Sequence, residues 1–80
     1  MSSILTIITV YNIIMEYKDR IKDLRTNAGL SQMQLAKKIN VSQSAVAKWE
    51  LGKTEPTASA IIALAEFFDE TTDYILGLTD

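Results

Sequence analysis

The chain has 80 residues, which is enough for one small domain. It contains neither Cys nor His, and this excludes disulfides, thiolate nucleophiles, His–Cys zinc sites and a histidine general base. The lack of Cys fits a reducing, intracellular setting, so we expect a cytoplasmic location. The net charge of −2 is informative only through its distribution along the chain.

The charges of the two halves have opposite signs. Residues 16–53 contain all eight basic residues and four acidic ones, a net charge of +4, whereas residues 54–80 contain six acidic residues and no basic one. This asymmetry indicates one face that attracts a polyanion and another that repels it. An ordinary mixed surface explains the distribution equally well, so charge alone does not decide the function.

Residues 1–15 (MSSILTIITVYNIIM) differ in composition from the rest of the chain. Apolar and β-branched residues dominate them, which favours a strand or an extended arm. The run is shorter than the ~20 residues of a membrane helix and lacks the basic flank of a signal peptide. Two interpretations stay open: a non-native extension before a natural start at Met15, or an arm that pairs with a second chain. Residues 16–80 are predicted to form the domain.

The first predicted helix begins near Tyr17. Apolar residues recur there with the i, i+4, i+7, i+11 spacing of one helix face: Tyr17, Ile21, Leu24 and Ala28. Gly29 is expected to end this helix in the left-handed conformation.

Ser31 begins the second predicted helix, because Ser31 and Gln34 have the spacing of a capping box. Asn40 tolerates the left-handed conformation of a tight turn. Ser42 then caps a third helix, which runs from Gln43 to about Leu51 and ends at Gly52. Its inward residues are Val46 and Trp49.

Two further helices complete the pattern. Thr57 caps a fourth helix, and Thr71 caps a short fifth one that includes Tyr74, Ile75 and Leu78. The sequence therefore predicts an all-α, compact bundle of about five short helices.

The second and third helices are joined by a turn of three or four residues, and this arrangement carries the functional signal. One side of the third helix is apolar. The opposite side presents small and polar residues: Gln43, Ser44, Ala47 and Lys48. A helix-turn-helix needs this division, since one side packs in the core while the other enters the major groove of DNA. Gln can pair with adenine, Lys with guanine, and Ala or Ser can meet a thymine methyl or a phosphate.

Residues 18–78 resemble the phage-repressor and Cro family of helix-turn-helix proteins, also called the XRE type. The resemblance is carried by the strings RIKDLRTNAGLSQMQLAKKINVSQSAVAKWELGKTEP and IIALAEFFDETTDYILGLTD. It implies a lambda-repressor-like DNA-binding domain and a transcriptional regulator, in particular a repressor. It also implies double-stranded DNA as the partner and a homodimer on an inverted repeat.

The resemblance also implies roles for individual residues. Gln32 matches a position that binds phosphate and braces the first glutamine of the recognition helix. The positions that read bases are matched by Gln43, Ser44, Lys48 and Ala47. Those that contact phosphate are matched by Gln32, Ser42 and Lys53. Arg25 and Glu50 match a structural ion pair between the first helix and the end of the third.

The sequence departs from the family pattern at two turns. Asn40 stands where the turn often has Gly, which is a mild change. Asp69 and Glu70 replace a usual Gly and apolar residue before the last helix, which leaves the packing there open.

Several alternatives remain at this point. Gln32, Gln43 and Lys48 also fit a solvated helix surface. The domain could bind a protein instead of DNA, as an antitoxin or antirepressor does, and the chain could be a piece of a longer protein with a sensor domain. An enzyme is not predicted, because there is no His, no Cys and no phosphate-cradling glycine loop. We expect no cofactor, metal, membrane or small-molecule partner.

Overall fold

The computed structural model describes residues 17–79, and these residues form helices and turns without a strand. The predicted all-α class is therefore confirmed for this part of the chain. The predicted N-terminal arm, residues 1–15, lies outside the described residues. In chain order the helices are α1 (residues 17–27), α2 (Gln32–Ile39), α3 (Gln43–Glu50), α4 (Ala58–Phe68) and α5 (Thr72–Ile75).

Hydroxyl side chains cap the start of the last four helices, as predicted. Each accepts a hydrogen bond from the backbone N–H three residues further on, which pairs a donor that the helix itself leaves unsatisfied. At α2 the capping box is complete, since Gln34 Oε1 also accepts from the Ser31 N–H at 2.8 Å. The four capping residues are Ser31, Ser42, Thr57 and Thr71.

Left-handed residues end the helices. Gly29, Gly52 and Gly77 have φ values of 73°, 73° and 78°, and Asn40 takes φ 61° after α2. Asp69 takes the same conformation with φ 55°, and its N–H donates to the carbonyls of α4. The departure at this turn therefore preserves its geometry, at the energetic expense of a Cβ in the left-handed region.

Two apolar residues lie outside the helices in which the sequence placed them. Ala28 follows the end of α1 and is exposed, because the chain already turns towards Gly29. Leu78 lies beyond α5 and is half exposed, because α5 ends at Ile75 and the chain reverses at Gly77. Both assignments extended an apolar spacing past the true helix end.

The core contains residues from all five described helices. Ile21, Leu35, Val46, Leu64 and Ile75 have no solvent exposure. The small Ala36 on α2 is also buried, and it allows α3 to approach closely. None of the helices in residues 17–79 is long and apolar enough to cross a membrane.

The start of α1 is tied to the connection between α3 and α4. Tyr17 is buried, and its hydroxyl donates a 2.7 Å hydrogen bond to the Thr54 carbonyl. Burial raises the pKa of the Tyr17 phenol above its ordinary value of 10.0, and the negative charge of Glu55 raises it further.

This raised pKa makes stability sensitive to alkaline pH. The folded protein keeps the Tyr17 proton after the unfolded chain has lost it, so the contribution is complete below pH 10.0 and is lost as pH rises through the folded-state pKa. We expect the free energy of unfolding to fall less steeply in Tyr17→Phe than in the wild type above that pH. Urea unfolding at a series of alkaline pH values measures this, and identical slopes for the two proteins would contradict it.

Replacing Asp69 by Gly is expected to raise the free energy of unfolding. Gly relieves the left-handed strain and removes a negative charge from the carboxyl end of α4, and these gains exceed the added entropy of the unfolded chain by about 0.5–1 kcal/mol. Urea denaturation measures the change. Glu70→Gly is the matched control, since Glu70 has no positive φ and Gly should destabilise the protein there. Stabilisation by neither variant, or by both equally, would argue against strain at Asp69.

Candidate nucleic-acid interface

A three-residue turn joins α2 to α3. Asn40 reverses the chain in the left-handed conformation, and the Val41 N–H donates to the Ala36 carbonyl at 2.9 Å. Ser42 then caps α3. This geometry follows from the residue types, because Asn tolerates positive φ and Ser accepts the free N–H groups at a helix start. The two helices form the predicted helix-turn-helix.

The two sides of α3 differ as predicted. Val46 and Trp49 are buried, with 0% and 4% exposure, so Trp49 belongs to the core. The opposite side faces solvent and contains exposed Gln43, Ser44 and Lys48, together with half-buried Ala47. The structure thus brings the four predicted base-reading residues onto one outward side of one helix.

Ser42 has a structural role that limits what else it can bind. Its Oγ accepts the Ala45 N–H at 3.1 Å and lies 3.2 Å from the Ser44 Oγ. The capping bond occupies one lone pair, which leaves the hydroxyl proton of Ser42 as its one donor. That proton can go to Ser44 or to an external acceptor such as a phosphate oxygen.

Arg25 and Glu50 form the predicted ion pair. Arg25 Nε lies 2.6 Å from Glu50 Oε2, and Nη2 lies 2.8 Å from Oε1, in a bidentate arrangement. The remaining Nη1 donates to the Leu30 carbonyl at 2.8 Å. The hydrogen bond to Glu50 raises the pKa of Arg25. The side chains of the pair are mostly buried, so this contact fixes the end of α3 against α1.

A second set of hydrogen bonds continues from Glu50 towards the outward side of α3. Gln32 Nε2 donates to Glu50 Oε1 at 3.2 Å, and Gln43 Nε2 donates to Gln32 Oε1 at 2.8 Å. The resemblance implied the contact between the two glutamines, whereas no pattern in the sequence predicted the contact between Gln32 and Glu50. We refer to Arg25, Glu50, Gln32 and Gln43 together as the polar chain.

The polar chain fixes the orientation of both amides. A carboxylate can only accept, so Gln32 must turn its NH₂ group towards Glu50 and its oxygen towards Gln43. Gln43 must then offer its own NH₂ group to that oxygen. One N–H and the oxygen of Gln43 remain available for a ligand, and so does one N–H of Gln32.

Lys53 lies in the connection between α3 and α4, directly after Gly52, and it is exposed. Its backbone N–H donates to the Lys48 carbonyl at 2.9 Å, so the backbone at Lys53 is attached to the end of α3. Lys37 and Lys38 are also exposed, in the last turn of α2. Residues 54–79 add five acidic residues and no basic one, so the positive charge of the described chain is confined to α1, α2, α3 and Lys53.

The contact of Tyr17 with Thr54 was not predicted from the sequence. The only signal was a polar hydroxyl at a position where the apolar spacing of α1 requires no polar atom.

Among residues 17–79, no group of three or more acidic side chains could hold a metal ion.

Comparison with known proteins places this geometry in a family. Residues 21–75 match the helix-turn-helix family model, and the chain belongs to that family. The HTH-type transcriptional activator BcrR of Enterococcus faecalis is 39% identical over 63 residues, which are 79% of this chain and 31% of BcrR. The uncharacterised HTH-type transcriptional regulator YobD of Bacillus subtilis is 38% identical over 64 residues, 80% of this chain and 57% of YobD.

A phage repressor matches in both sequence and structure. Repressor protein C2 of Salmonella phage P22 is 33% identical over 58 residues, 72% of this chain and 27% of the repressor. The solution structure of the DNA-binding domain of the P22 C2 repressor superposes with a TM-score of 0.69 at 32% identity, and the match covers 75% of this chain and 79% of that domain. The chain thus spans about a third of the length of BcrR and just over half of the length of YobD, two of the curated relatives that it matches.

Breaking the ion pair from one side is expected to be strongly destabilising. Arg25→Ala leaves the Glu50 carboxylate mostly buried without its cation, and we expect a loss of about 3–5 kcal/mol in the free energy of unfolding. The double variant Arg25→Met/Glu50→Met removes both charges and should lose much less. Urea denaturation of the three proteins measures this, and a loss of under about 1 kcal/mol in Arg25→Ala would contradict a structural role.

Proposed function

We propose that residues 16–80 form a DNA-binding domain that reads the major groove of double-stranded DNA with α3. We further propose that the protein is a cytoplasmic transcriptional regulator, acting as a repressor without catalytic activity. The observation that carries this proposal is the fixed Gln43 amide at the exposed start of α3, which Gln32 holds at 2.8 Å. Membership of the helix-turn-helix family supports it.

Gln43 is proposed to read adenine. Its Nε2 uses one proton on Gln32, which leaves one N–H donor and the Oε1 acceptor for a ligand. Adenine presents the complementary pair in the major groove, with N7 as acceptor and N6 as donor. Guanine presents two acceptors at the same edge, so the Oε1 atom of Gln43 would face an acceptor there. The polar chain thus favours adenine over guanine at this position.

Ser44 and Lys48 are proposed to contact bases further along the groove. Lys48 lies four residues after Ser44, so these two side chains are neighbours on α3, and Ala47 is the corresponding neighbour of Gln43. The ammonium of Lys48 suits the guanine acceptors, and the methyl group of Ala47 suits a thymine methyl.

Phosphate contacts are proposed for Gln32, Ser42 and Lys53. Gln32 retains one N–H after its bond to Glu50, and Ser42 retains its hydroxyl proton. The amino-terminal ends of α2 and α3 add backbone N–H groups and a partial positive charge. These contacts fix the register of α3 on the duplex, while sequence is read by the base contacts.

The protein is proposed to act as a homodimer on an inverted repeat. One α3 helix reaches few base pairs, and a two-fold dimer doubles the number of contacts. Its half-sites would be separated by about 34 Å, one turn of the duplex. The acidic residues of α4 and α5 favour an orientation with those helices away from the DNA.

A protein partner is the second candidate function, as in an antitoxin or antirepressor. Ile62 and Phe67 on α4 are exposed at 51% and 40%, and Glu66 lies between them in sequence. Salt distinguishes the two functions. Binding through several phosphates weakens steeply as salt rises, whereas an apolar protein contact does not.

Selection from a random duplex library at fixed, near-physiological salt tests the proposal. We expect enrichment of an inverted repeat with adenine opposite Gln43. Gln43→Ala should weaken binding to the enriched duplex by about 1–3 kcal/mol and leave binding to a mixed-sequence duplex unchanged. Titrations of both duplexes with both proteins measure this.

Lys53→Ala is the matched control for a contact that carries no sequence information. It should weaken binding to both duplexes equally and lower the salt slope by about 1. If Gln43→Ala weakens both duplexes equally, Gln43 only positions the protein and the base assignment is wrong. If the folded wild-type protein enriches no sequence, the main partner is another molecule.

A further inference from the structure

The backbone on both sides of Lys53 is fixed by hydrogen bonds. Before it, the Gly52 N–H donates to the Trp49 carbonyl at 3.0 Å, and the Lys53 N–H donates to the Lys48 carbonyl at 2.9 Å. After it, the Thr54 carbonyl accepts the 2.7 Å hydrogen bond from the Tyr17 hydroxyl. The first two bonds belong to the end of α3, whereas the third comes from a different helix, α1.

The start of α1 also covers this turn. A Cβ atom placed on Gly52 would lie 3.4 Å from Lys18 Cδ, so the methylene stem of Lys18 packs beside the turn. Neighbouring residues of α1 thus hold the connection at two points, one through packing and one through a hydrogen bond.

The hydroxyl of Tyr17 has no role in filling the core. Tyr17 is 2% exposed and belongs to the core cluster, and a phenylalanine would fill nearly the same volume. What the hydroxyl adds is the bond to the carbonyl of Thr54, the residue next to the exposed Lys53. The polar atom of Tyr17 therefore acts on the connection and not on the core.

We infer that Tyr17 is a positioning residue for DNA binding, whose hydroxyl bond to the Thr54 carbonyl holds Lys53 in place for a phosphate contact. This inference rests on the proposed function, since it requires that Lys53 contacts DNA. A fixed backbone reduces the entropy that Lys53 loses when it binds a phosphate. The hydrogen bond from Tyr17 therefore strengthens the contact between Lys53 and DNA, although Tyr17 itself does not contact DNA.

The first test needs no DNA. Backbone ¹⁵N relaxation of the full chain reports order at residues 53–55, and Tyr17→Phe should lower the order parameters there while those of α2 and α3 stay as in the wild type. Tyr74→Phe is the matched control, because it removes a phenol hydroxyl from α5, away from Lys53 in the chain. Unchanged order at residues 53–55 in Tyr17→Phe would overturn the inference, whatever the protein binds.

The second test is a double-mutant cycle with the duplex that the selection enriches. Tyr17→Phe should weaken binding about 2- to 10-fold, the effect expected from one more side chain to be ordered on binding. In a Lys53→Ala background the same change should have no effect, because the contact that it supports is gone. Tyr74→Phe should bind as the wild type does.

The outcomes separate this inference from the proposed function. Wild-type protein that binds no duplex overturns both. The inference alone is overturned if the wild-type protein binds DNA and Tyr17→Phe weakens that binding to the same extent with and without Lys53. A Lys53→Ala variant that binds as tightly as the wild type overturns the inference together with the proposed phosphate contact of Lys53, but not the proposed reading of bases by α3. We expect two results together. The salt slope of binding falls for Lys53→Ala, and Tyr17→Phe weakens binding only in proteins that retain Lys53.

Discussion

The bidentate contact between Arg25 and Glu50 is the interaction on which the rest of the interface depends. It joins α1 to the end of α3, and it sets a carboxylate with a known orientation beside Gln32. Because that carboxylate can only accept, the direction of the Gln32 amide follows, and the direction of the Gln43 amide follows from Gln32. A structural ion pair in the bundle thereby fixes which polar atoms α3 presents to a ligand.

Helix α1 supports the interface through two contacts at the carboxyl end of α3, without belonging to the interface itself. Arg25 reaches the last residue of α3, and Tyr17 reaches the connection that follows. The position of α3 in the bundle has a separate cause, since Val46 and Trp49 bury its inward side in the core. Packing therefore places the helix, and long-range hydrogen bonds orient the groups on its surface and beside its end.

Local signals predicted the helices well, because caps and left-handed turns are encoded within a few residues, as at Ser31 and Asn40. The same spacing rules placed Ala28 and Leu78 in helices that end before them. The roles of Gln32 and Gln43 at DNA were expected through the family resemblance and remain predictions. The bonds from Gln32 to Glu50 and from Tyr17 to Thr54 join residues 18 and 37 apart, and no local pattern encodes them.

The most direct test is the base preference of Gln32→Leu at the base pair that Gln43 is proposed to read. Leucine leaves the ion pair between Arg25 and Glu50 in place but removes the bond that orients the Gln43 amide. Binding to four duplexes that differ only at this base pair measures the preference. We predict that Gln32→Leu binds all four duplexes more weakly and discriminates less between adenine and the other bases. Full discrimination in Gln32→Leu would contradict it, because Gln43 would then read adenine without the polar chain.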